Sequence, residues 1–111
     1  MPAAALAFSP LGLTVSFTAA NTVPTSAQAK SVTGQRSSFQ YRDVNSGTEV
    51  VLLGVGVDDD AAKAAAASIA AGAIPLVPGA VEVLGFPAGS FFTGKTASGT
   101  SVVYVTPGEG L

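Results

Sequence analysis

Short segments of alternating apolar and polar residues, separated by turn signals, constrain the fold of this chain most strongly. Residues 13–18 (LTVSFT), 38–44, 80–86 and 101–106 alternate with a period of two, which is typical of half-buried β-strands. Asn-Ser-Gly, Pro-Gly, Pro-Ala-Gly and Ser-Gly sequences lie between such segments and favour turns. About six or seven short strands, with turns roughly every 8–12 residues, predict an all-β fold, and we expect a jelly-roll-like antiparallel β-sandwich.

An apolar run over residues 48–57 (TEVVLLGVGV) predicts a central strand that is covered on both faces. Gly54 and Gly56 within this run indicate a bulge or the close approach of another backbone. Three consecutive aspartates and an Ala-rich stretch follow. Because Ala favours helices and acidic residues suit a helix N-terminus, we expect one short helix within residues 59–71, ending at Gly72.

The alternation also selects a candidate core. Its members are apolar or aromatic residues on the predicted strands, which pack inside more often than they bind ligands. The predicted core residues are Val15, Phe17, Phe39, Tyr41, Val51, Leu53, Val83, Phe91, Val103 and Val105.

Residues 1–12 (MPAAALAFSPLG) are apolar and show no periodicity, so we expect an extended N-terminal arm before a single sandwich domain at residues 13–111. A disordered terminus is the alternative. Because exposed apolar clusters mark interfaces, we predict that the arm becomes ordered on a partner or a neighbouring copy. The candidate interface residues are Leu6, Phe8 and Leu11.

The sequence predicts neither a membrane span nor a signal peptide. Residues 64–81 carry no charge, but they are rich in Ala and Gly and are interrupted by Pro75 and Pro78. A signal peptide begins with a basic region, whereas the first basic residue of this chain is Lys30.

The composition excludes several classes of chemistry. The chain of 111 residues contains no Cys or His, so zinc fingers, thiol nucleophiles, haem ligation and Ser-His-Asp triads are excluded. Its seven carboxylates form no obvious catalytic pair, so we expect no enzyme, no catalytic residues, and no cofactor or metal. The net charge of −2 gives no electrostatic reason to expect nucleic-acid binding. Only 11% of the residues are charged, which favours self-association or packing on a partner.

Three local patterns suggest ligands. Residues 89–96 (GSFFTGKT) fit the phosphate-loop pattern G-x-x-x-x-G-K-[ST], but no helix is predicted after them, as that loop requires. The consecutive aspartates would attract a hard cation, yet they lack the spaced ligands of a calcium loop. Phe39, Tyr41 and Tyr104 would suit a sugar or peptide platform if exposed. We interpret all three patterns as structural.

The C-terminal third resembles small structural proteins of tailed bacteriophages, of the capsid decoration or cement type. The residues that carry the resemblance are IPLVPGAVEVL at 74–84 and TASGTSVVYVTPGEG at 96–110, with RDVNSGTEVV at 42–51 similar to the middle strand pair of those proteins. The Ala-rich segment at 61–73 is longer than the resemblance leads us to expect.

The resemblance implies a virion component without catalytic residues. It implies a location on the capsid surface, the major capsid protein as partner, and a homotrimer as the oligomeric state. It leaves open a head–tail or tail component. A glycan-binding or host-surface module on the virion is an alternative of another class, and it predicts an exposed aromatic cluster with nearby carboxylates.

Overall fold

The computed structural model describes residues 8–31 and 39–109, which form two antiparallel β-sheets and one short α-helix. The elements in chain order are β1 (Ser9–Pro10), β2 (Val15–Ala19), β3 (Ala27–Gln28), β4 (Gln40–Asn45), β5 (Val51–Gly56), α1 (Asp59–Ala66), a 3-10 turn (Ile69–Ala71), β6 (Ile74–Leu76), β7 (Val81–Gly85), β8 (Phe91–Lys95) and β9 (Ser101–Glu109).

The strands pair like a long hairpin folded over on itself. One sheet has the order β2-β9-β4-β7, with β1 beside the far end of β9, and the other has the order β3-β8-β5-β6. The antiparallel pairs β2–β9, β3–β8, β4–β7 and β5–β6 are therefore nested within one another. This nesting is the arrangement of a jelly roll, so the predicted all-β, jelly-roll-like sandwich is confirmed.

The helix packs closely on the outer face of β5 because glycines leave that face bare. A Cβ atom added at Gly54 or Gly56 would collide with the backbone of Ala62 in α1. The Asp58 carboxylate caps the helix by accepting a hydrogen bond from the Ala61 N–H at 2.8 Å. The strand is thus covered on both faces, and the two glycines permit the close approach that the sequence indicated.

Most of the predicted core is confirmed. The aromatic ring of Phe92 lies 4.9 Å from that of Tyr41 and 5.9 Å from that of Phe86, measured between ring centroids. Val15 packs partly against this core. The predicted core residues that are fully buried are Phe17, Tyr41, Val51, Leu53, Val103 and Val105.

The core predictions for Phe39 and Phe91 are wrong. Phe39 precedes β4 and its side chain is 62% exposed. Phe91 is only partly buried, because its neighbour Phe92 takes the inward position in β8 and side chains alternate along a strand.

The core prediction for Val83 in β7 is also wrong. The register places Leu84 opposite the buried Tyr41, so Leu84 packs against the core. Val83 lies opposite Arg42 and points to the outer face of the five-stranded sheet. The pattern of valines in β7 therefore marks its exterior rather than its interior.

Strand β9 is longer than the sequence suggests. The alternating pattern predicts a strand over residues 101–106, yet β9 continues through Pro107 and Gly108 to Glu109. It continues because Gly108 has a partner on each side, namely Gln40 of β4 and Pro10 of β1. Within the described ranges, no helix is long and apolar enough to cross a membrane.

Candidate functional site

The outer face of the five-stranded sheet carries a row of apolar side chains, which we call the open face. Tyr104 of β9 lies opposite Val44 of β4, and Val44 lies opposite Val81 of β7. Val83 lies two residues further along β7 on the same face and is opposite Arg42 of β4. Tyr104 is 43% exposed and Val81 is 50% exposed. The helix α1 packs on β5 and β8 of the other sheet, so it does not cover the open face.

The exposed Val81 and Tyr104 are joined by the half-buried Val44 in adjacent cross-strand positions, so the three side chains form one apolar surface rather than scattered contacts. Surfaces of this kind on small domains commonly bind another protein. This face was not predicted from the sequence, because Val83 was expected in the core. The alternation itself was visible in the sequence, and only the register decides which side is open.

Asp43 is a buried carboxyl group on the inner face of the same sheet. Its side chain is 0% exposed and lies between the positions of Val105 in β9 and Glu82 in β7. Neither of its carboxylate oxygens has a hydrogen-bond partner among the residues that the structure describes. Burial, with a smaller effect from the negative charge of Glu82, raises the pKa of Asp43 to about 8. Asp43 is therefore mostly protonated at neutral pH.

The Asp43–Glu82 pair does not form an accessible acid–base site. A general acid or base must come within hydrogen-bond reach of its substrate, and both oxygens of Asp43 are buried. Glu82 is exposed at the rim of the sandwich. The arrangement can instead make the folded state sensitive to pH, because ionisation would place an unpaired charge inside the core.

Asn45, on the same strand, is a buried polar side chain whose amide group has hydrogen-bond partners. Its Nδ2 donates hydrogen bonds to the carbonyls of Glu49 at 2.8 Å and Leu76 at 2.9 Å. Its Oδ1 accepts from the Gly47 N–H at 3.2 Å and from the Ser101 hydroxyl at 2.6 Å. Asn45 therefore links the β4–β5 turn to both sheets by hydrogen bonds. The carboxyl group of Asp43 has no such partners among the described residues.

The predicted interface residues lie partly within the structure. Leu6 falls outside the described residues. The ring of Phe8 lies against the backbone of Gly108 in β9 and is half-buried there. The Leu11 N–H donates a hydrogen bond to the Pro107 carbonyl at 2.9 Å. Residues 8–12 of the expected arm thus run along β9 of their own sandwich, and their contact with a partner stays a prediction.

The phosphate-loop match is a strand and turn. Gly94 and Lys95 belong to strand β8, and the Thr96 hydroxyl donates to the Gly99 carbonyl at 2.8 Å within the turn that follows. The next element is strand β9 rather than the helix that a phosphate loop requires.

The acidic run belongs to the start of the helix. Asp58 caps α1, and Asp59 accepts hydrogen bonds from the N–H and hydroxyl of Ser26 at 2.8 and 2.7 Å. These donors, with a smaller contribution from Lys63 at 3.2 Å, lower the pKa of Asp59 below its ordinary value. In the described ranges, no group of three acidic, His or Cys side chains is placed to hold a metal ion.

A shallow groove of about 340 Å³ lies on the opposite sheet, beside the end of α1. Its walls are largely aliphatic, with one lysine at the rim. The lining residues are Val50, Leu52, Ala67, Lys95, Thr96 and Ala97. It offers few polar groups that would orient a small molecule, so the open face is the stronger candidate.

Comparison with protein-family models, with curated proteins and with solved structures gives no match to this chain.

Proposed function

We propose that this protein is a capsid decoration protein of a tailed bacteriophage. It binds the outside of the head and stabilises contacts between subunits of the major capsid protein. The proposal draws on the resemblance in residues 42–51, 74–84 and 96–110 and on the low charge content of 11%. The jelly-roll fold is compatible with this function, but the same fold also occurs in lectins and other proteins, so it does not decide the function.

The observation that carries the proposal is the open face. Tyr104, Val44 and Val81 form an apolar row that no described helix or strand of the chain covers. An assembled shell offers a large fixed surface on which such a row can be buried. Burying apolar area removes it from water, at roughly 25 cal/mol for each Å².

Decoration stabilises a shell by linkage. A protein that binds the assembled capsid but not its separated subunits shifts the equilibrium toward the assembled state. Contacts with several subunits at once make each weak contact effective, because the second contact forms within an existing complex. We place the homotrimer within this proposal, since closed symmetry would bury further weakly polar surface.

The glycan-binding alternative receives less support from the geometry. It predicts an exposed aromatic cluster, and the two strongly exposed aromatic side chains of the described residues are Phe39 and Tyr104. Phe39 directly precedes the end of β4 that pairs with Gly108, whereas Tyr104 pairs with Val44 near the other end of that strand, so the two residues are separated along the sheet. They do not form one platform.

The test is binding to heads assembled from the major capsid protein of the same phage. The wild-type protein should sediment with the heads and raise the temperature at which they dissociate. Tyr104→Lys should bind at least about tenfold more weakly, because it places a charge where the aromatic ring would be buried against the capsid. Thr100→Lys, at an exposed turn, is the matched control and should bind normally. The proposal is overturned if the wild-type protein stays in the supernatant.

A further inference from the structure

Strand β7 is an edge strand whose outward backbone groups can be identified from its pairing. The Asn45 N–H donates to the Ala80 carbonyl, and the Phe86 N–H donates to the Phe39 carbonyl, both at 3.0 Å. Residues that bond to a neighbour alternate along an antiparallel strand. Residues 80, 82, 84 and 86 therefore direct their N–H and C=O groups toward β4. Val81, Val83 and Gly85 direct theirs away from the sheet.

The other edge strands that the structure describes are protected or polar. Proline interrupts β1 at Pro10 and β6 at Pro75, and β3 contains only two residues. Edge prolines and short edge strands are common devices against strand addition. Strand β2 places Ser16 and Thr18 on the outer side, where β7 places valines. Strand β7 contains no proline and carries apolar side chains, and its outward backbone groups have no partner among the residues that the structure describes.

The charge at this edge selects among incoming strands. Glu82 points to the inner side of β7, opposite the buried Asp43, and remains exposed at the rim. Among the residues that the structure describes, no basic side chain forms an ion pair with either carboxyl group. A strand laid against β7 would cover the Glu82 carboxylate, which is unfavourable unless the strand brings a positive charge.

A second copy of β7 does not meet this requirement. Paired with itself, the strand would bring another Glu82 and no basic residue to the edge. An inward-pointing charge on an edge strand opposes such self-pairing. The same charge favours a partner of opposite sign, so the edge discriminates between strands.

We propose that β7 receives an extended strand from a different chain, with a basic residue between two apolar residues. The apolar residues lie beside Val81 and Val83 and extend the open face, and the basic residue lies beside Glu82. The added strand hydrogen-bonds to the outward groups of β7 and enlarges the sheet. In assigning that strand to the major capsid protein, this inference rests on the proposed function and specifies which part of the chain makes the contact.

The first test measures amide hydrogen exchange with and without heads. The amides of Val81, Val83 and Gly85 should become protected when the protein binds. Val83→Pro removes the central outward N–H and should bind heads about tenfold more weakly. Val83→Thr keeps that N–H and is the matched control. Glu82→Lys should also weaken binding by about tenfold while leaving the melting temperature at least as high, because it removes a negative charge beside Asp43.

The second test needs no capsid. The probe is the blocked pentapeptide Thr-Val-Lys-Val-Thr, with Thr-Val-Glu-Val-Thr as its control. The lysine peptide should shift the amide resonances of Val81, Val83 and Gly85 saturably, and the glutamate peptide should bind at least about tenfold more weakly.

The outcomes separate this inference from the proposed function. Head binding without protection of these three amides overturns the inference and leaves the decoration role intact. Failure to bind heads, together with a lysine-specific response to the peptide, overturns the decoration role and supports strand addition. Absence of a response to either peptide overturns the inference. Protection of the three amides by self-association alone also overturns it, because the occupant would then be a second copy.

Discussion

Replacing Asp43 by asparagine should make the protein more stable at neutral pH and should remove a specific part of its pH dependence. The side chain is 0% exposed and its oxygens have no partners among the described residues, so the folded state holds the carboxyl group in its neutral form. An amide of nearly the same shape cannot ionise. The difference between the two proteins should therefore grow with pH.

The magnitude follows from the pKa of Asp43, which rises from an ordinary value of 3.8 to about 8. Between these values the unfolded chain releases the proton while the folded chain keeps it. Unfolding therefore becomes more favourable as pH increases. At about 1.4 kcal/mol for each pKa unit, the loss of stability is about 4 kcal/mol at pH 7. The loss of stability reaches roughly 6 kcal/mol above pH 8, and it disappears when the pH falls below the ordinary pKa of 3.8.

The assay is urea unfolding of both proteins between pH 3 and pH 9, followed by circular dichroism. The free energy of unfolding of Asp43→Asn minus that of the wild type should increase by about 4 kcal/mol from pH 3 to pH 7. Asp60→Asn, at an exposed position of α1, is the control and should give no comparable increase. A difference between Asp43→Asn and wild type that stays constant across this range would show that ionisation of Asp43 does not destabilise the folded state.

Three further predictions concern the packing of α1 on β5, the hydrogen bonds of Asn45 and the contact between Ser26 and Asp59. Gly54→Ala should destabilise the fold by about 1–3 kcal/mol in thermal unfolding, because the new Cβ atom would collide with α1. Gly85→Ala is the control and should have little effect, because the nearest neighbouring atom lies 3.5 Å from the new Cβ. Equal losses of stability in the two variants would contradict this prediction. Asn45→Ala should cost about 2–4 kcal/mol in urea unfolding, since it leaves buried donors and acceptors unpaired, and a loss below about 1 kcal/mol would contradict that role. Ser26→Ala should raise the pKa of Asp59 in a carboxyl-carbon NMR titration by removing a donor, and an unchanged titration would contradict the assigned cause.

The architecture could be predicted because its signals are local. Alternation located the main strands, and glycine, proline and serine marked the turns. The acidic start, the alanines and Gly72, with a φ of 112°, delimited the helical segment. The close approach at Gly54 and Gly56 could be anticipated because a strand with glycines at alternate positions has one bare face.

The misplaced residues required information that a single strand does not contain. Both faces of β7 carry apolar residues, so only the pairing of Leu84 with Tyr41 shows that the valines face outward. Phe91 and Phe92 are adjacent, and alternation cannot decide between them. Asp43 lies two residues after Tyr41 and therefore on the same, buried face of β4, so its burial could have been predicted from the alternation. Whether its carboxyl group has hydrogen-bond partners cannot be read from the sequence.

Electron cryomicroscopy of heads incubated with the wild-type protein would show directly whether and how the protein binds the capsid. We expect density on the outer surface of the shell where capsid subunits meet, with the open face of Tyr104 and Val81 turned toward the shell and β7 beside a strand of the capsid protein. Bare heads would contradict the decoration role. Bound protein with the open face turned to solvent would show that this face is not the capsid-binding surface.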